Sequence, residues 1–283
     1  MYLIYAIGSA FFAGITSILA KCGIQKTDSS VATAIRTIVV LIFAWIMVFI
    51  VGSFDQISSI SVKCFVFLIL SGLATGASWL SYFYALSKGP IDQVVPIDKS
   101  STVFTILLSF IFLQESVSFL KLICAVLIGI GTYLMIEKKG NQASTNDYKW
   151  LFAAFASALF ASLTAILGKV GIDGVESNLG TAIRTSVVLV MAWMMVFVQK
   201  KKVDVAKNEL GFLFLSGLAT GASWLCYYKA LQMGQASVVV PIDKLSVLIT
   251  ILFSYFVFKE KLSNKALFGL ICLVVGTVLM VLL

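Results

Sequence analysis

The chain has 283 residues, of which 60% are hydrophobic and 12% are charged, and its mean hydropathy is +1.03. A water-soluble domain of this size does not need so many apolar residues for its core, so the composition indicates a polytopic membrane protein. The net charge of +8 does not indicate nucleic-acid binding, because the basic residues lie in short gaps between apolar segments rather than on one face or tail.

Apolar segments of about 20 residues recur along the chain, and each is long enough to cross a bilayer. The first lacks the charged start and the cleavage site of a signal peptide, so we expect it to be retained. The predicted helices cover residues 2–22, 31–51, 63–86, 92–113, 118–136, 150–170, 178–199, 209–231, 237–258 and 264–283. The polar segment 137–149 is the only stretch that resembles a linker.

The second half of the chain repeats the first. SGLATGASWL occurs at 71–80 and again at 216–225, and TAIRT occurs at 33–37 and again at 181–185. Because each copy has five spans, an odd number, the second copy must enter the membrane upside down. The sequence therefore predicts an all-α membrane protein whose ten transmembrane helices form two inverted five-helix repeats.

We expect the first repeat at 1–136, a connecting loop at 137–149, and the second repeat at 150–283. Lysines concentrate in the gaps on one side of the predicted membrane, and the opposite gaps hold little beyond Lys63 and Lys121. Lysine-rich gaps are typical of the cytoplasmic side. We therefore predict a multi-pass protein of the inner (plasma) membrane with both termini external, present as a monomer or a homodimer.

Each half contains the motif PIDK, at 96–99 and at 241–244, and each fourth helix ends in an acidic residue, in FIFLQE at 110–115 and YFVFKE at 255–260. With two five-helix halves, the chain resembles the EamA-type transporters of the drug/metabolite transporter superfamily. The resemblance implies a cavity lined by the first four helices of each half. In phosphate-exchanging members, basic residues on the fourth and ninth helices hold the ligand, and Lys99 and Lys244 lie on those helices.

Each half also carries one arginine and one Asp-Lys pair within predicted helices: Arg36, Asp98 and Lys99, then Arg184, Asp243 and Lys244. A charge at the centre of a span costs about 2.5–3.5 kcal/mol, so six charges facing lipid would cost roughly 15–20 kcal/mol. We expect these residues to face one another or a wet cavity, and we predict that they bind substrate. The alternative is that they pair only to hold the bundle together.

Hydroxyl residues follow each aspartate at helical spacing: Ser101 and Thr105 after Asp98, and Ser246 and Thr250 after Asp243. We include them in the predicted binding site, although Ser and Thr also bond back to their own helix in membranes. Pro96 and Pro241 precede the aspartates by two residues. Because each proline removes a helical hydrogen bond, a local break is expected beside the charges.

Aromatic pairs at i, i+3 spacing lie in the third and eighth predicted helices: Trp79 with Tyr82, and Trp224 with Tyr227. Core packing or interfacial anchoring would explain them. Their mid-helix position beside Ser78 and Ser223 favours a cavity wall instead. We therefore add the four aromatic residues to the predicted substrate-binding set.

Inverted repeats around intramembrane charges are typical of secondary transporters that work by alternating access. The six charges sum to +2, which favours a small anionic or carboxylate-bearing metabolite such as an amino acid. The chain has no histidine and no CxxC motif, so we predict no metal site and no cofactor, and any proton coupling would use carboxylates or water. Nothing in the sequence indicates an enzyme.

Two other classes of function compete with a metabolite transporter. A lipid-carrier flippase would show a lateral opening between helices. An intramembrane aspartyl protease would need two aspartates about 3 Å apart that share a proton. The sequence argues against the protease, because each aspartate adjoins a lysine and the inverted arrangement separates the two aspartates across the membrane.

Overall fold

A computed structural model describes residues 1–23, 26–88, 91–116, 118–135, 149–257 and 263–283, and within these ranges the chain is all-helical. Nearly all of the predicted connecting loop at 137–149 lies outside the described residues. A 3-10 helix, Phe54–Ser59, lies between the helices that end at Val51 and begin at Val62. The helices are α1 Tyr2–Gly23, α2 Ser29–Val51, α3 Val62–Lys88, α4 Ile91–Lys99, α5 Ser101–Phe112, α6 Phe119–Leu134, α7 Lys149–Gly171, α8 Ser177–Val198, α9 Lys207–Met233, α10 Ala236–Lys244, α11 Ser246–Val257 and α12 Asn264–Leu282.

The predicted all-helical, two-repeat architecture is confirmed and the count of ten spans holds approximately, with the fourth and the ninth predicted spans each divided into two helices. Within the described residues, nine segments are long and apolar enough to cross a membrane, and α6 is a shorter apolar helix. The divisions lie between α4 and α5 at Ser100 and between α10 and α11 at Leu245, directly after the predicted lysines. Each follows a proline by four residues, at Pro96 and Pro241. Since proline has no N–H to donate, α4 and α10 each lack one helical hydrogen bond before the division.

Helices of one half pack against helices of the other half in an arrangement with an approximate two-fold axis. Helix α1 packs along α9, and α3 packs along α7, while α2 packs on α8 and α6 packs on α12. The pair α2 and α8 is antiparallel, because Ser30 at the start of α2 bonds to Gln199 and Ser53 beyond its end bonds to Glu176. Equivalent helices that run in opposite directions are the expected result of an inverted repeat.

Helices α6 and α12 approach so closely that only glycine fits at their crossing. A Cβ atom added to Gly131 would lie 2.5 Å from the backbone nitrogen of Leu273, and one added to Gly269 would lie 2.7 Å from the carbonyl oxygen of Gly131. Small residues at membrane helix crossings allow backbones to come into van der Waals contact. By contrast, a Cβ at Gly211 in α9 would meet nothing within 4 Å.

Acidic side chains fix the starts of two helices outside the central part of the bundle. The Asp28 carboxylate accepts a hydrogen bond from the Ser30 N–H at 2.9 Å and pairs with the Lys201 Nζ atom at 2.8 Å. Burial raises the pKa of Asp28, but the bonds from Lys201 and Ser30 outweigh it and hold that pKa below its ordinary value. Glu115, which ends the fourth predicted helix, accepts from the N–H groups of Ala236 and Ser237 at the start of α10.

Candidate functional site

The charged residues of both halves line two adjacent cavities inside the bundle. The Arg184 cavity, of about 300 Å³, is lined by Thr75, Ser78, Trp79, Thr164, Arg184, Ser223, Trp224, Tyr227, Tyr228, Asp243, Lys244 and three alanines. The Arg36 cavity, of about 330 Å³, is lined by Thr33, Arg36, Ser78, Trp79, Tyr82, Phe83, Asp98, Lys99, Ser101, Ala161 and Lys244. Because Ser78, Trp79 and Lys244 line both, the two cavities share a wall.

Arg184 is held in a fixed position by α3 and α9. Its Nε atom donates to the Ser71 hydroxyl at 3.0 Å, and its Nη2 atom donates to the Thr75 hydroxyl at 2.5 Å. The guanidinium carbon lies 5.0 Å from the Trp224 ring centroid and 4.9 Å from that of Tyr228, so cation–π contacts cover it as well. Its Nη1 atom is buried and has no hydrogen-bond partner among the described residues.

Arg36 occupies the equivalent position of the first TAIRT copy but makes different contacts. It is half-buried, lines the Arg36 cavity, and donates no hydrogen bond to any described residue. The hydroxyls equivalent to those that hold Arg184 belong to Ser216 and Thr220. They bond to Thr16 of α1 just as Ser71 and Thr75 bond to Thr164 of α7, but neither accepts a hydrogen bond from Arg36. The same local sequence therefore holds one arginine rigidly and leaves its counterpart unbonded within the described part of the chain.

Burial of the neighbouring residues shows the same asymmetry. Arg184, Tyr228 and Thr181 are 3%, 2% and 1% exposed. Their counterparts in the first half, Arg36, Phe83 and Thr33, are all half-buried and all line the Arg36 cavity. The bundle is therefore packed more tightly around Arg184 than around Arg36.

Each predicted aspartate is bonded to a serine of the first helix of the opposite half. The Asp98 carboxylate accepts from Ser157 of α7 at 2.6 Å, and the Asp243 carboxylate accepts from Ser9 of α1, also at 2.6 Å. Among the described residues, neither aspartate lies within 4 Å of a lysine or arginine nitrogen; the ion pairs found there, Lys169–Glu115 and Lys201–Asp28, lie elsewhere. The six charges therefore do not neutralise one another by direct pairing.

Lys99 and Lys244 lie at the ends of α4 and α10 and meet at a third cavity. This lysine cavity, of about 370 Å³, has walls of both polar and apolar residues: Ser17, Val95, Thr102, Thr132, Met135, Ser246, Val247, Thr250 and Leu273. Neither lysine donates a hydrogen bond to a described residue. Two ammonium groups on one cavity wall, without a carboxylate within 4 Å in the described ranges, produce a positive potential there.

The predicted aromatic residues line the cavities, and the predicted hydroxyls divide between two environments. Trp79 lines both arginine cavities, Tyr82 lines the Arg36 cavity, and Trp224 and Tyr227 line the Arg184 cavity. Ser101 lines the Arg36 cavity, while Ser246 and Thr250 line the lysine cavity.

Thr105 is not among the residues that line these three cavities. It is 2% exposed, and its hydroxyl donates to the Ser101 carbonyl at 2.8 Å. Its polar group is thus satisfied by its own helix, which is the alternative that applies to Ser and Thr in membranes. The hydroxyl of Thr250 also donates to a carbonyl of its own helix, that of Ser246, at 3.3 Å.

Several residues that shape the site were not predicted from the sequence, namely Ser9, Ser71, Thr75, Ser157 and Tyr228. The four hydroxyl residues hold the aspartates or Arg184 from helices of the other half, and Tyr228 covers Arg184 from α9 of the same half. A signal for one pair was present, because alignment of the two repeats places Ser9 opposite Ser157. The described residues contain no group of three Cys, Asp or Glu side chains that could hold a metal ion.

The family model described as the EamA-like transporter family matches residues 1–137 and matches again at 148–282. The chain belongs to the EamA-like transporter family. The family resemblance drawn from the PIDK motifs and the two halves is therefore confirmed. The two matches cover nearly the whole chain, one on each side of the polar segment.

Relatives of the chain differ in length and name. An uncharacterized transporter encoded in the cobO 3' region of a Sinorhizobium species is 39% identical over 131 residues, which cover 46% of this chain and 93% of that one. An S-adenosylmethionine uptake transporter of Rickettsia bellii is 23% identical over 221 residues, covering 75% of this chain and 71% of that one. Its Rickettsia conorii counterpart is 25% identical, covering 75% and 70%.

A solved crystal structure has the same fold. It superposes with a TM-score of 0.78 at 17% sequence identity and covers 98% of this chain and 95% of that one. The family, the apolar helices and the named relatives together identify this EamA-like protein as a multi-pass membrane transporter of a small molecule.

Proposed function

We propose that the chain is a secondary active transporter of a small anionic or carboxylate-bearing metabolite, such as an amino acid. The observation that supports this most directly is the charge of the adjoining cavities. Arg36, Lys99, Arg184 and Lys244 line them, and within the described residues no carboxylate lies within 4 Å of any of the four. Unpaired cations in a membrane interior are costly, so a ligand with negative charge is favoured there.

The mechanism that fits this arrangement is alternating access. The two halves are inverted copies, so the Arg36 and Arg184 clusters are related by the approximate two-fold axis and lie toward opposite membrane faces. Rocking of one set of helices against the other would open each cluster in turn. Asp98 and Asp243 are the candidate proton carriers for coupling, because each carboxylate faces a cavity and is bonded to a neutral serine.

A lipid-carrier flippase is the second candidate, and the lysine cavity is the observation that favours it. Its apolar wall, with Val95, Val247 and Leu273, could accommodate part of a lipid chain next to Lys99 and Lys244. An aspartyl protease has less support, because Asp98 and Asp243 line different cavities and bond to different serines.

Flux measurements in liposomes test the proposed function. The purified chain would be reconstituted and offered amino acids, phosphorylated metabolites, quaternary amines and S-adenosylmethionine. The last compound carries a carboxylate and appears in the names of the Rickettsia relatives. We expect carboxylate-bearing or phosphorylated compounds to be transported and quaternary amines without an acid group not to be. Transport of only cationic compounds, or of none while a fluorescent lipid is scrambled, would contradict the proposal and, in the second case, favour the flippase.

A double variant of Lys99 and Lys244 tests the same proposal. Hydrogen bonds to a charged group contribute about 1.5–3 kcal/mol each, so losing two costs about 3–6 kcal/mol, or roughly a hundredfold or more in affinity. We expect the double variant Lys99→Gln/Lys244→Gln to lose that much affinity for the transported compound. Lys63→Gln is the control, since Lys63 is exposed and lines none of the three cavities.

We also propose the inner (plasma) membrane as the location, with both termini external, because lysines concentrate on the opposite side. Reporter fusions inserted at residue 142 should score as cytoplasmic, and fusions after Leu283 should score as external. The reverse pattern would show that the two sides have been assigned the wrong way round.

A further inference from the structure

The Arg184 guanidinium has one edge that is hydrogen-bonded and one edge that has no hydrogen-bond partner in the described part of the chain. Its side-on edge is taken, because Nε donates to Ser71 and Nη2 donates to Thr75. Arginine carries five N–H donors, two of them on Nη1. Nη1 is buried without a partner among the described residues. The end-on edge, formed by Nη1 and the second N–H of Nη2, therefore lacks a partner, and a ligand would reach it in a conformation in which Nη1 is uncovered.

The charge on this edge has no counter-ion in the described part of the protein. Arg184 is 3% exposed, and both of its hydrogen-bond acceptors are neutral hydroxyls. The carboxylate that lines the same cavity, Asp243, is bonded to Ser9 at 2.6 Å and lies more than 4 Å from the guanidinium nitrogens. A buried cation with neutral partners is unfavourable, so an anion that enters this cavity gains more than it would at an exposed site.

The shape of the cavity indicates what kind of anion fits. The end-on edge of a guanidinium presents two parallel N–H groups, which match the two oxygens of a carboxylate. Trp79, Trp224 and Tyr227 line the same cavity, and the Trp224 ring also stacks on the guanidinium at 5.0 Å. A flat apolar group attached to the carboxylate would lie against these aromatic faces. Lys244, on the same wall, adds a second positive charge.

We propose that the end-on edge of Arg184 binds the carboxylate of the transported molecule and that Trp224 contacts its adjacent apolar or aromatic part. This inference rests on the proposed function and adds to it the residue that selects the acid group and the aromatic residue that contacts the neighbouring part of the molecule. Arg36 provides an internal comparison. It has the same neighbours in sequence but no described residue fixes its guanidinium, so more freedom is lost when it binds a ligand.

Three probes with one ring and different head groups test the site: phenylacetate, phenylacetamide and phenethylammonium. Binding to the purified full chain would be measured by thermal shift and by tryptophan fluorescence. We expect phenylacetate to bind at least tenfold more tightly than either other probe. Arg184→Gln should lose at least tenfold in phenylacetate affinity. Arg184→Lys, which keeps the positive charge but lacks the two parallel N–H groups, should also weaken binding. Arg36→Gln should lose less than Arg184→Gln, and Lys63→Gln should match the wild type.

Equal affinity of the wild type for the acid and the amide, or no binding of either, would overturn the proposal. This comparison needs no variant, so misfolding of Arg184→Gln cannot hide the answer. Equal losses in Arg184→Gln and Arg36→Gln would also overturn it, because the fixed edge would then not be the selective element. If liposomes transport another anion while phenylacetate binds no more tightly than phenylacetamide, the proposed transport function is supported and the proposed role of Arg184 is refuted. If no anion is transported, the proposed function itself falls.

Discussion

The hydroxyls of Ser71 and Thr75 offer a direct way to test alternating access. They hold Arg184 in the tightly packed half, while the equivalent hydroxyls of Ser216 and Thr220 do not hold Arg36. Because the two halves share the sequence SGLATGASWL at these positions, we expect a second state in which the contacts are exchanged. In that state Arg36 would bond to Ser216 and Thr220, and Arg184 would be released.

The size of the effect follows from the two hydrogen bonds. Each bond to a charged group contributes about 1.5–3 kcal/mol, so the variant Ser71→Ala/Thr75→Val should destabilise the present state by about 3–6 kcal/mol. Moving a two-state equilibrium from 1:99 to 99:1 takes about 5.5 kcal/mol. The variant should therefore shift the population strongly toward the exchanged state. The matched variant Ser216→Ala/Thr220→Val should shift it toward the present one.

Two threonines at equivalent positions can report the state. Thr33 is half-buried and lines the Arg36 cavity, whereas Thr181 is 1% exposed. Each would be replaced by cysteine, one at a time, in a chain without its native cysteines, and labelled in membranes with a water-soluble thiol reagent. In Ser71→Ala/Thr75→Val we expect faster labelling at Thr181→Cys and slower labelling at Thr33→Cys.

The matched variant Ser216→Ala/Thr220→Val should change the two labelling rates in the opposite directions. Changes in the same direction in both variants would refute the exchange, because they would indicate general loosening of the bundle. Unchanged labelling in both variants while transport persists would also refute it, since the bonds to Arg184 would then not distinguish the two states.

Two further predictions concern stability. Gly131→Ala should lower the thermal midpoint, because overpacking at the contact between α6 and α12 typically costs about 1–3 kcal/mol, whereas Gly211→Ala, with open space around it, should leave the midpoint unchanged or raise it. Asp28→Ala should cost about 1 kcal/mol through loss of the helix cap, and Asp28→Asn, which can still cap, should cost less. Because the pKa of folded Asp28 is lowered, its carboxylate stabilises the fold above the pKa of the unfolded chain. The wild type should therefore have a higher free energy of unfolding than Asp28→Asn at pH 7, by less than about 1 kcal/mol because the pair with Lys201 is partly exposed. This difference should vanish as the pH falls through the pKa of Asp28 in the folded chain.

Hydropathy and the internal repeat were enough to predict the ten spans and the inverted arrangement. Both properties follow from short segments of sequence, because a span needs only a sufficient run of apolar residues and an odd number of spans fixes the inversion. The cost of charge in hydrocarbon likewise predicted that Arg36, Asp98 and their partners avoid lipid, and they line internal cavities. The local break expected beside each PIDK motif is also present, directly after Lys99 and Lys244.

Composition, repeats and motifs therefore predict the class of the protein, its two related halves and the set of charges in its interior. The partner of each charge depends instead on how the helices pack. Ser157 and Ser9, which bond to the aspartates, come from helices of the opposite half, 59 and 234 residues away along the chain. The difference between Arg184 and Arg36 could not be predicted from TAIRT, because the two copies are identical. Two identical segments can differ only through their contacts with other helices, and those contacts depend on how the halves pack against each other.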